Sequence, residues 1–246
     1  VSAEGPVVDE EAFLAAYDPA AFPRPSLAVD VVLLTVVDGS LKVLVVRREA
    51  HPFAGTHTLP GGFVGVDEEL EAACRRVLRA KTGLVDVFVE QLHTFGAVDR
   101  DPRMRIVSVA HVALVDAARA PTDGPGRWAT VEVPDAGQPL AAGVGASLDD
   151  EPLRFGFDHA AIVAAALGRL RERLDSSAVG YQLLPETFTL RRLQEVHEIL
   201  RGEPVNKDSF RRRLLATGQL QPTGVKERAV GHRPAELYRF TGPRAV

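Results

Sequence analysis

Residues 59–84 read LPGGFVGVDEELEAACRRVLRAKTGL, and this stretch decides the fold. It opens on Pro60-Gly61-Gly62, a loop centre where missing side chains let the backbone approach a ligand closely. From Asp67 to Thr82 the pattern predicts a helix. Acids crowd the first turn, Leu70, Ala73, Cys74 and Val77 make an apolar stripe, and Gly83 stands at the position that ends a helix in the left-handed conformation. Glu68 follows Gly62 by six residues, Arg76 follows by eight more, and Gly83 by a further seven.

That spacing, with the lead-in Leu59-Pro60-Gly61-Gly62-Phe63-Val64, resembles the Nudix box: Gly, five residues, Glu, seven residues, then Arg-Glu-Leu-x-Glu-Glu-x-Gly. The resemblance runs from about Pro25 to Leu174. It implies an α/β (α+β) Nudix fold, a mixed sheet sandwiched by helices. Members that work as enzymes carry glutamates at the positions of Val77, Ala80 and Lys81, spaced i, i+3, i+4 on one helical face. Clustered carboxylates are what Mg²⁺ requires to clamp a pyrophosphate and activate water. Here none of the three is acidic, so no catalytic residue and no metal ligand is assigned. Glu68, Glu69 and Glu71 remain near the helix start, where they are expected to offset the helix dipole, metal ligation being the alternative.

Binding can outlast catalysis because other groups carry it. Gly61 and Gly62 offer backbone N–H groups, and Phe63 belongs to the same lead-in. Arg47, Arg100 and Arg103 offer charge-assisted phosphate contacts. Strand neighbours alternate, so only one of Arg47 and Arg48 faces the site, and Arg47 is placed in the set. Phe53 is a candidate stacking surface for a base, as is Phe95. Lys81 could hold a diphosphate by fixed charge where the metal would sit, the alternative being an exposed helix-end lysine.

Around the box, Leu27–Val37 and Leu41–Arg47 read as strands joined at Asp38-Gly39, a two-residue hairpin signal. Residues 55–65 read as a loop. Strand patterns return at Val85–Glu90 and Ile106–Val115, separated by the charged loop Phe95–Arg103. The segments 117–126 and 135–150 are expected to be loops. A second amphipathic helix is expected from Phe157-Asp158-His159 to about Leu174, with Asp158 as N-cap. Residues 1–24 are expected to form a mostly disordered leader, 25–177 a ligand-binding domain and 183–246 a second domain, the boundary falling near Ala178–Leu184.

The charge is divided along the chain. From Gly180 to Val246 there are 12 Lys/Arg against 7 Asp/Glu, while the whole chain has a net charge of −4. An acidic body with a basic tail suits a sensor joined to a nucleic-acid reader. Leu190, Leu193, Val196, His197 and Leu200 fall at helical spacing behind Thr189 as N-cap, with His197 expected to be partly buried packing. Asn206 caps a second helix, Lys207–Thr217, ended by Gly218. Phe210 and Leu214 mark its inner face, Arg212 points nearly opposite, Arg211 and Ser209 flank it, and Arg213 falls near the core edge. Leu220–Thr223 and Leu237–Phe240 then bracket a loop with Lys226, Arg228, His232 and Arg233. Helix, turn, capped basic helix and basic hairpin in that order predict a winged helix-turn-helix. Its DNA-contacting set is Thr189, Asn206, Lys207, Ser209, Arg211, Arg212, Lys226, Arg228, His232 and Arg233.

The segments 188–194, 206–214 and 231–238, together with 95–103 and 157–159, are similar to the Nudix-related transcriptional regulators of the NrtR type. One departure is His57, where that family often has Trp. The resemblance implies a homodimeric repressor of NAD-metabolism genes that reads a palindromic duplex operator. ADP-ribose or a related NAD-derived nucleotide would bind the Nudix domain and release it, with no cofactor required. The alternative is an active Mg²⁺-dependent ADP-ribose pyrophosphatase carrying an appended nucleic-acid-binding module. A third is an RNA-binding or protein-interaction module. Composition is that of a globular protein, 46% hydrophobic and 25% charged. The lone Cys74 excludes an internal disulfide framework and suits a reducing cytoplasm, and no apolar run is long enough for a signal peptide or membrane span, so no membrane partner is expected.

Overall fold

A computed structural model describes residues 9–140, 143–227 and 234–242. A short helix, α1 (Glu10–Ala16), starts behind the Asp9 cap and buries none of its residues, so this part of the expected disordered leader is helical. The following strands are β1 (Ser26–Val37) and β2 (Ser40–Arg47), joined at Asp38 and Gly39. Both turn residues have positive φ, 49° and 72°, the conformation that matches the twist of the paired strands. Next come β3 (His57–Thr58) and β4 (Gly61–Phe63), where a loop was expected. The box helix α2 (Leu70–Thr82) ends at Gly83, φ 72°.

The remaining body consists of β5 (Phe88–Phe95), β6 (Ile106–Leu114), β7 (Gly126–Val131), β8 (Ala146–Leu148), β9 (Glu151–Pro152) and α3 (His159–Arg173). Strand β7 was not expected, and β8 lies in a segment expected to be loop. The sheet runs β5-β6-β1-β2-β7-β8-β9, with β3 on β2 and β4 on β1. β1 is parallel to β6 and antiparallel to β2 and β4, which makes the sheet mixed.

β1 is buried on both faces, which explains its near-continuous apolar sequence. Val29, Val31 and Leu33 pack against Ala73, Cys74, Val77 and Leu78 of α2. Val32, Leu34 and Val36 face the other way, into a core shared with α3. The expected two-layer cover of the sheet therefore follows from the side-chain alternation of one strand.

The C-terminal part holds a 3₁₀ segment (Ala178–Leu183), β10 (Thr187–Phe188), α4 (Leu190–Arg201), α5 (Lys207–Ala216), β11 (Leu220–Lys226) and β12 (Glu236–Phe240). Thr189 caps α4 by accepting from Arg192 N–H at 3.1 Å, and Asn206 caps α5 by accepting from Ser209 N–H at 3.0 Å. The three strands pair in the order β10-β12-β11. Residues 178–184, where a boundary was expected, are not an open linker. Ala178, Val179, Leu183 and Leu184 are buried in the same cluster as Leu193, Val196 and Leu200 of α4 and Ile162, Leu167 and Leu170 of α3. Among the described residues no helix is long and apolar enough to cross a membrane.

Candidate functional site

The outstanding polar feature of the body begins with one acid in an apolar strand. Asp30 of β1 is buried, its side chain turned toward the α3 face. Ser108 on β6 donates to its carboxylate at 2.6 Å, and Arg100 Nη2 lies 3.3 Å away. Arg100 also grips Asp158 with two bonds, Nε to Oδ2 at 2.9 Å and Nη2 to Oδ1 at 2.7 Å. Burial works against the Arg100 charge, but Asp158 and Asp30 outweigh it and hold the pKa above the usual arginine value. Asp158 was expected to cap α3. It makes no side-chain cap bond, its carboxylate being committed to Arg100.

His159 opens α3 and is buried beside this group. Its Nδ1 accepts the Leu59 N–H at 2.8 Å, which fixes the tautomer with the proton on Nε2, 3.5 Å from Asp30 Oδ1. Burial pushes the imidazole pKa down, and the nearby carboxylates only partly offset that. Gly61 pairs with Asp30 across β4 and β1. A Cβ at Gly61 would lie 2.3 Å from Asp30 Oδ1 and 3.0 Å from the Val29 carbonyl, so only glycine fits over this carboxylate.

These groups floor a cleft of about 230 Å³. Gly61, Gly62, Phe63, Arg100 and Arg103 of the expected ligand set all line it. Arg100 does so with its guanidinium already spent on two carboxylates; a charged loop is expected over Phe95–Arg103, yet Arg100 and Asp101 are both buried. Gly62 contributes backbone, but its N–H belongs to the sheet. The flanking bonds Val31 N–H to Pro60 O and Val64 N–H to Leu27 O put Gly62 and Val29 in the hydrogen-bonded register.

The mouth of the cleft is aromatic and cationic. Phe157 has φ 55° and Phe53 φ 64°, a left-handed conformation uncommon for bulky side chains. Their rings meet edge to face at 4.7 Å. Arg48 and Arg103 sit over the Phe157 ring, at 5.1 and 5.9 Å from its centre. Arg103 is also held by the buried Asp101 at 2.7 Å. Phe63 is half exposed nearby, a face on which a base could stack. Phe53 thus reaches the cleft through Phe157.

Two expected residues do not join them. Arg47 is exposed and pairs in register with His57, while its neighbour Arg48 turns into the cleft, so alternation holds with the opposite member facing in. Lys81 lies on α2, across the sheet from the cleft, and does not line it. Of the other two altered box positions, Val77 is buried against Gly62 and Ala80 is exposed. Among the described residues no group of three or more His, Cys, Asp or Glu is arranged to hold a metal ion.

The retained box residues are structural in this arrangement. Arg76 donates to Glu68 at 2.6 and 2.7 Å and to the Phe63 carbonyl at 2.9 Å, and Glu68 accepts the Gly65 N–H. The Arg76 bond holds the Glu68 carboxyl well down, at about 2. Glu68 precedes α2 and braces the loop under the cleft, a task beyond the dipole role expected for it.

The C-terminal module presents a second candidate surface. Phe210 and Leu214 are the buried face of α5; Lys207, Ser209, Arg211 and Arg212 are exposed on it with the cap Asn206. Lys226 is exposed at the end of β11. Thr189 is buried and its hydroxyl is used as the cap, so it does not join the exposed basic face. Arg228, His232 and Arg233 lie outside the described residues. Arg213 is over the Phe210 ring at 5.7 Å and reaches Asp175 at 3.2 Å, a partner not foreseen for it.

Asp30, Arg48, Phe157 and His159 line the cleft beyond the expected ligand set, and Asp158 holds Arg100 in place. A lone acid within Ala28-Val29-Asp30-Val31-Val32 was the available signal, since a carboxylate is buried in an apolar strand only when paired.

A family model described as the NUDIX domain matches residues 25–146, and one described as the NrtR DNA-binding winged helix domain matches residues 180–240. Over 237 residues the chain is 33% identical to the ADPR responsive transcriptional repressor NtrR of Acinetobacter baylyi, covering 94% of this chain and 88% of that protein. The structure of Shewanella oneidensis NrtR complexed with a 27mer DNA aligns with a TM-score of 0.71 at 38% identity, over 87% of this chain and 93% of that one. The NUDIX domain of Shewanella oneidensis NrtR complexed with ADP ribose aligns with a TM-score of 0.51 at 34% identity, over 66% of this chain and 99% of that one.

Proposed function

The chain belongs to the NrtR-type family of Nudix-related transcriptional regulators, and from that premise we propose that it is a repressor which binds operator DNA through its winged helix and is released by ADP-ribose bound in the Nudix domain. The observation that carries this reading is the pairing of two surfaces in one chain. One is a cleft with a cationic and aromatic mouth, and the other is a capped helix with exposed basic residues.

The diphosphate of ADP-ribose is matched by the N–H groups that Arg48 and Arg103 keep beyond those spent on the Pro52 and His51 carbonyls and on Asp101. The adenine is matched by Phe63 and Phe157. Lys207, Ser209, Arg211, Arg212 and Lys226 supply DNA contacts, with Arg228, His232 and Arg233, outside the described residues, kept in the set on their sequence alone. The operator is a palindrome read by a homodimer, whose two recognition helices stand about one DNA turn, or a multiple, apart. NAD-metabolism genes are the targets.

The cleft binds without cleaving. Val77, Ala80 and Lys81 leave the box face without the carboxylates that would hold Mg²⁺, and a hydrolase needs that metal to activate water. Catalytic loss therefore reflects three substitutions in a box whose bracing residues are kept.

The test measures binding to duplex DNA from the promoter of the chain's own gene by gel shift, with and without ADP-ribose. Binding that prefers this duplex over random sequence and weakens with ADP-ribose is the expected outcome. Equal binding to every duplex, or Mg²⁺-dependent release of AMP from ADP-ribose, would overturn the reading.

A further inference from the structure

Helix α3 touches both surfaces. At its start, Asp158 grips Arg100 and His159 accepts the Leu59 N–H, so the cleft floor is built on its first residues. At its other end, Arg171 Nε donates to the Leu200 carbonyl at the close of α4, 2.8 Å away. Just beyond, Asp175 receives two arginines, Arg201 from α4 and Arg213 from α5, the latter at 3.2 Å. The helix between them is fifteen residues long, about 22 Å at about 1.5 Å per residue. Ile162, Val163, Ala166, Leu167 and Leu170 are buried along its length, so the helix moves as a unit or not at all.

The junction at the far end differs from the core beneath it. Among the described residues, Arg213–Asp175 is the one ion pair that any residue of α5 makes. Three buried side-chain polar atoms in the described residues lack a hydrogen-bond partner, and two of them, His197 Nδ1 and Arg201 Nε, belong to this junction. His197 lies between Phe210 of α5, ring centres 4.9 Å apart, and Gly180 of the 3₁₀ segment. Buried polar atoms are nearly always satisfied, so two orphans in one place set this junction apart from the core beneath it.

We propose that α3 is the rigid link between the ADP-ribose cleft and the recognition helix, and that Asp175 is the positioning residue that couples them by holding Arg213 of α5. This rests on the repressor reading above. A ligand that pulls on Asp158 and His159 displaces the Asp175 end, and Asp175 passes the displacement to α5 through Arg213, beside the packing of Phe210 on α4. Exposed pairs such as this one add little to stability, so removing it loosens the coupling and not the fold.

The experiment compares the full-length wild type with Asp175→Asn and Asp175→Glu. Fluorescence anisotropy on the promoter duplex gives the operator Kd with and without saturating ADP-ribose, and calorimetry gives the ADP-ribose Kd. Asp175→Asn is expected to bind ADP-ribose within twofold of wild type while the ratio of the two operator Kd values falls at least fivefold toward one. Asp175→Glu should recover much of the ratio. A merely structural role would weaken operator binding equally with and without ligand and leave the ratio unmoved. Arg213→Met severs the same ion pair from the other side and should reproduce the loss, which covers the case of a poorly folding Asp175 variant. A wild type that ignores ADP-ribose would sink the repressor reading itself. A responsive wild type with both variants equally responsive would sink the coupling alone.

Discussion

Gly61 and Asp30 face each other across two strands, and neither can give way. Asp30 is fixed by Ser108 and Arg100, and the Val29 carbonyl is part of the sheet. Gly61→Ala is therefore expected to cost about 1–3 kcal/mol, the usual penalty for forcing extra volume into a packed site. A thermal melt that left Tm unchanged would contradict it. In the cleft mouth, Arg48→Ala should weaken ADP-ribose binding about tenfold, roughly the 1.5 kcal/mol lower bound for a hydrogen bond to a charged group. Lys81→Glu, across the sheet, should leave the affinity within about twofold by isothermal titration calorimetry, a parallel control for the same assay. What sequence made legible here was residue type. Arginines and glycines near a phosphate site were identifiable, but which arginines are free depended on partners 58 and 70 positions away. Arg100 was spent on distant carboxylates, and the choice between Arg47 and Arg48 turned on strand registration that alternation alone leaves two-fold ambiguous.

Elements whose signals are local were the easiest to read. Caps at Thr189 and Asn206, the Asp38-Gly39 turn and the Gly83 stop all depend on residues within a few positions. β7 and β8 escaped because they are short and take their definition from neighbours: β7 pairs with β2, far back in sequence. The same distinction applies to His197 on α4, whose helical spacing marked it as packing without showing how completely it is enclosed. Burial, with Arg201 and Arg213 adding to it and Asp175 opposing, lowers its pKa to about 4. A histidine neutral in the fold and titrating near 6.5 when unfolded makes the unfolded state bind the extra proton between pH 6.5 and 4. Stability is thus full above that window and declines as pH falls through it. At pH 5 the loss from this site is about 2 kcal/mol. His197→Phe keeps an aromatic against Phe210 and removes the titration. It should show a smaller fall in denaturation midpoint between pH 7 and 5 than wild type, and equal falls would exclude His197 as a source of acid sensitivity.

At the scale of the molecule, the winged helix is packed on the body rather than strung from it. Phe188, Leu193, Phe210 and Phe240 share a buried cluster with Val32, Leu34 and Leu167, and Arg192 donates to the Val36 carbonyl of β1 at 3.3 Å. The boundary was expected near Ala178–Leu184, and only folding shows that these residues are buried in a core shared with α3 and α4. Such packing makes the effector cleft and the DNA surface parts of one equilibrium, and linkage then fixes a number without further assumptions. Whatever factor ADP-ribose takes from operator affinity, operator must take from ADP-ribose affinity, counted as the product over the two clefts of a dimer. If saturating ligand raises the operator Kd by about thirtyfold, a coupling of about 2 kcal/mol shared by the two clefts of a dimer, then calorimetric titration of ADP-ribose into the protein–operator complex should give a Kd for each site about five- to sixfold above that for the free protein. The two titrations must use one salt concentration, because phosphate contacts make operator affinity fall steeply with salt. Factors unequal on that count under matched conditions would mean that ligand and DNA compete for one surface or that the assembly changes stoichiometry, and a two-site linkage through the body would have to be abandoned.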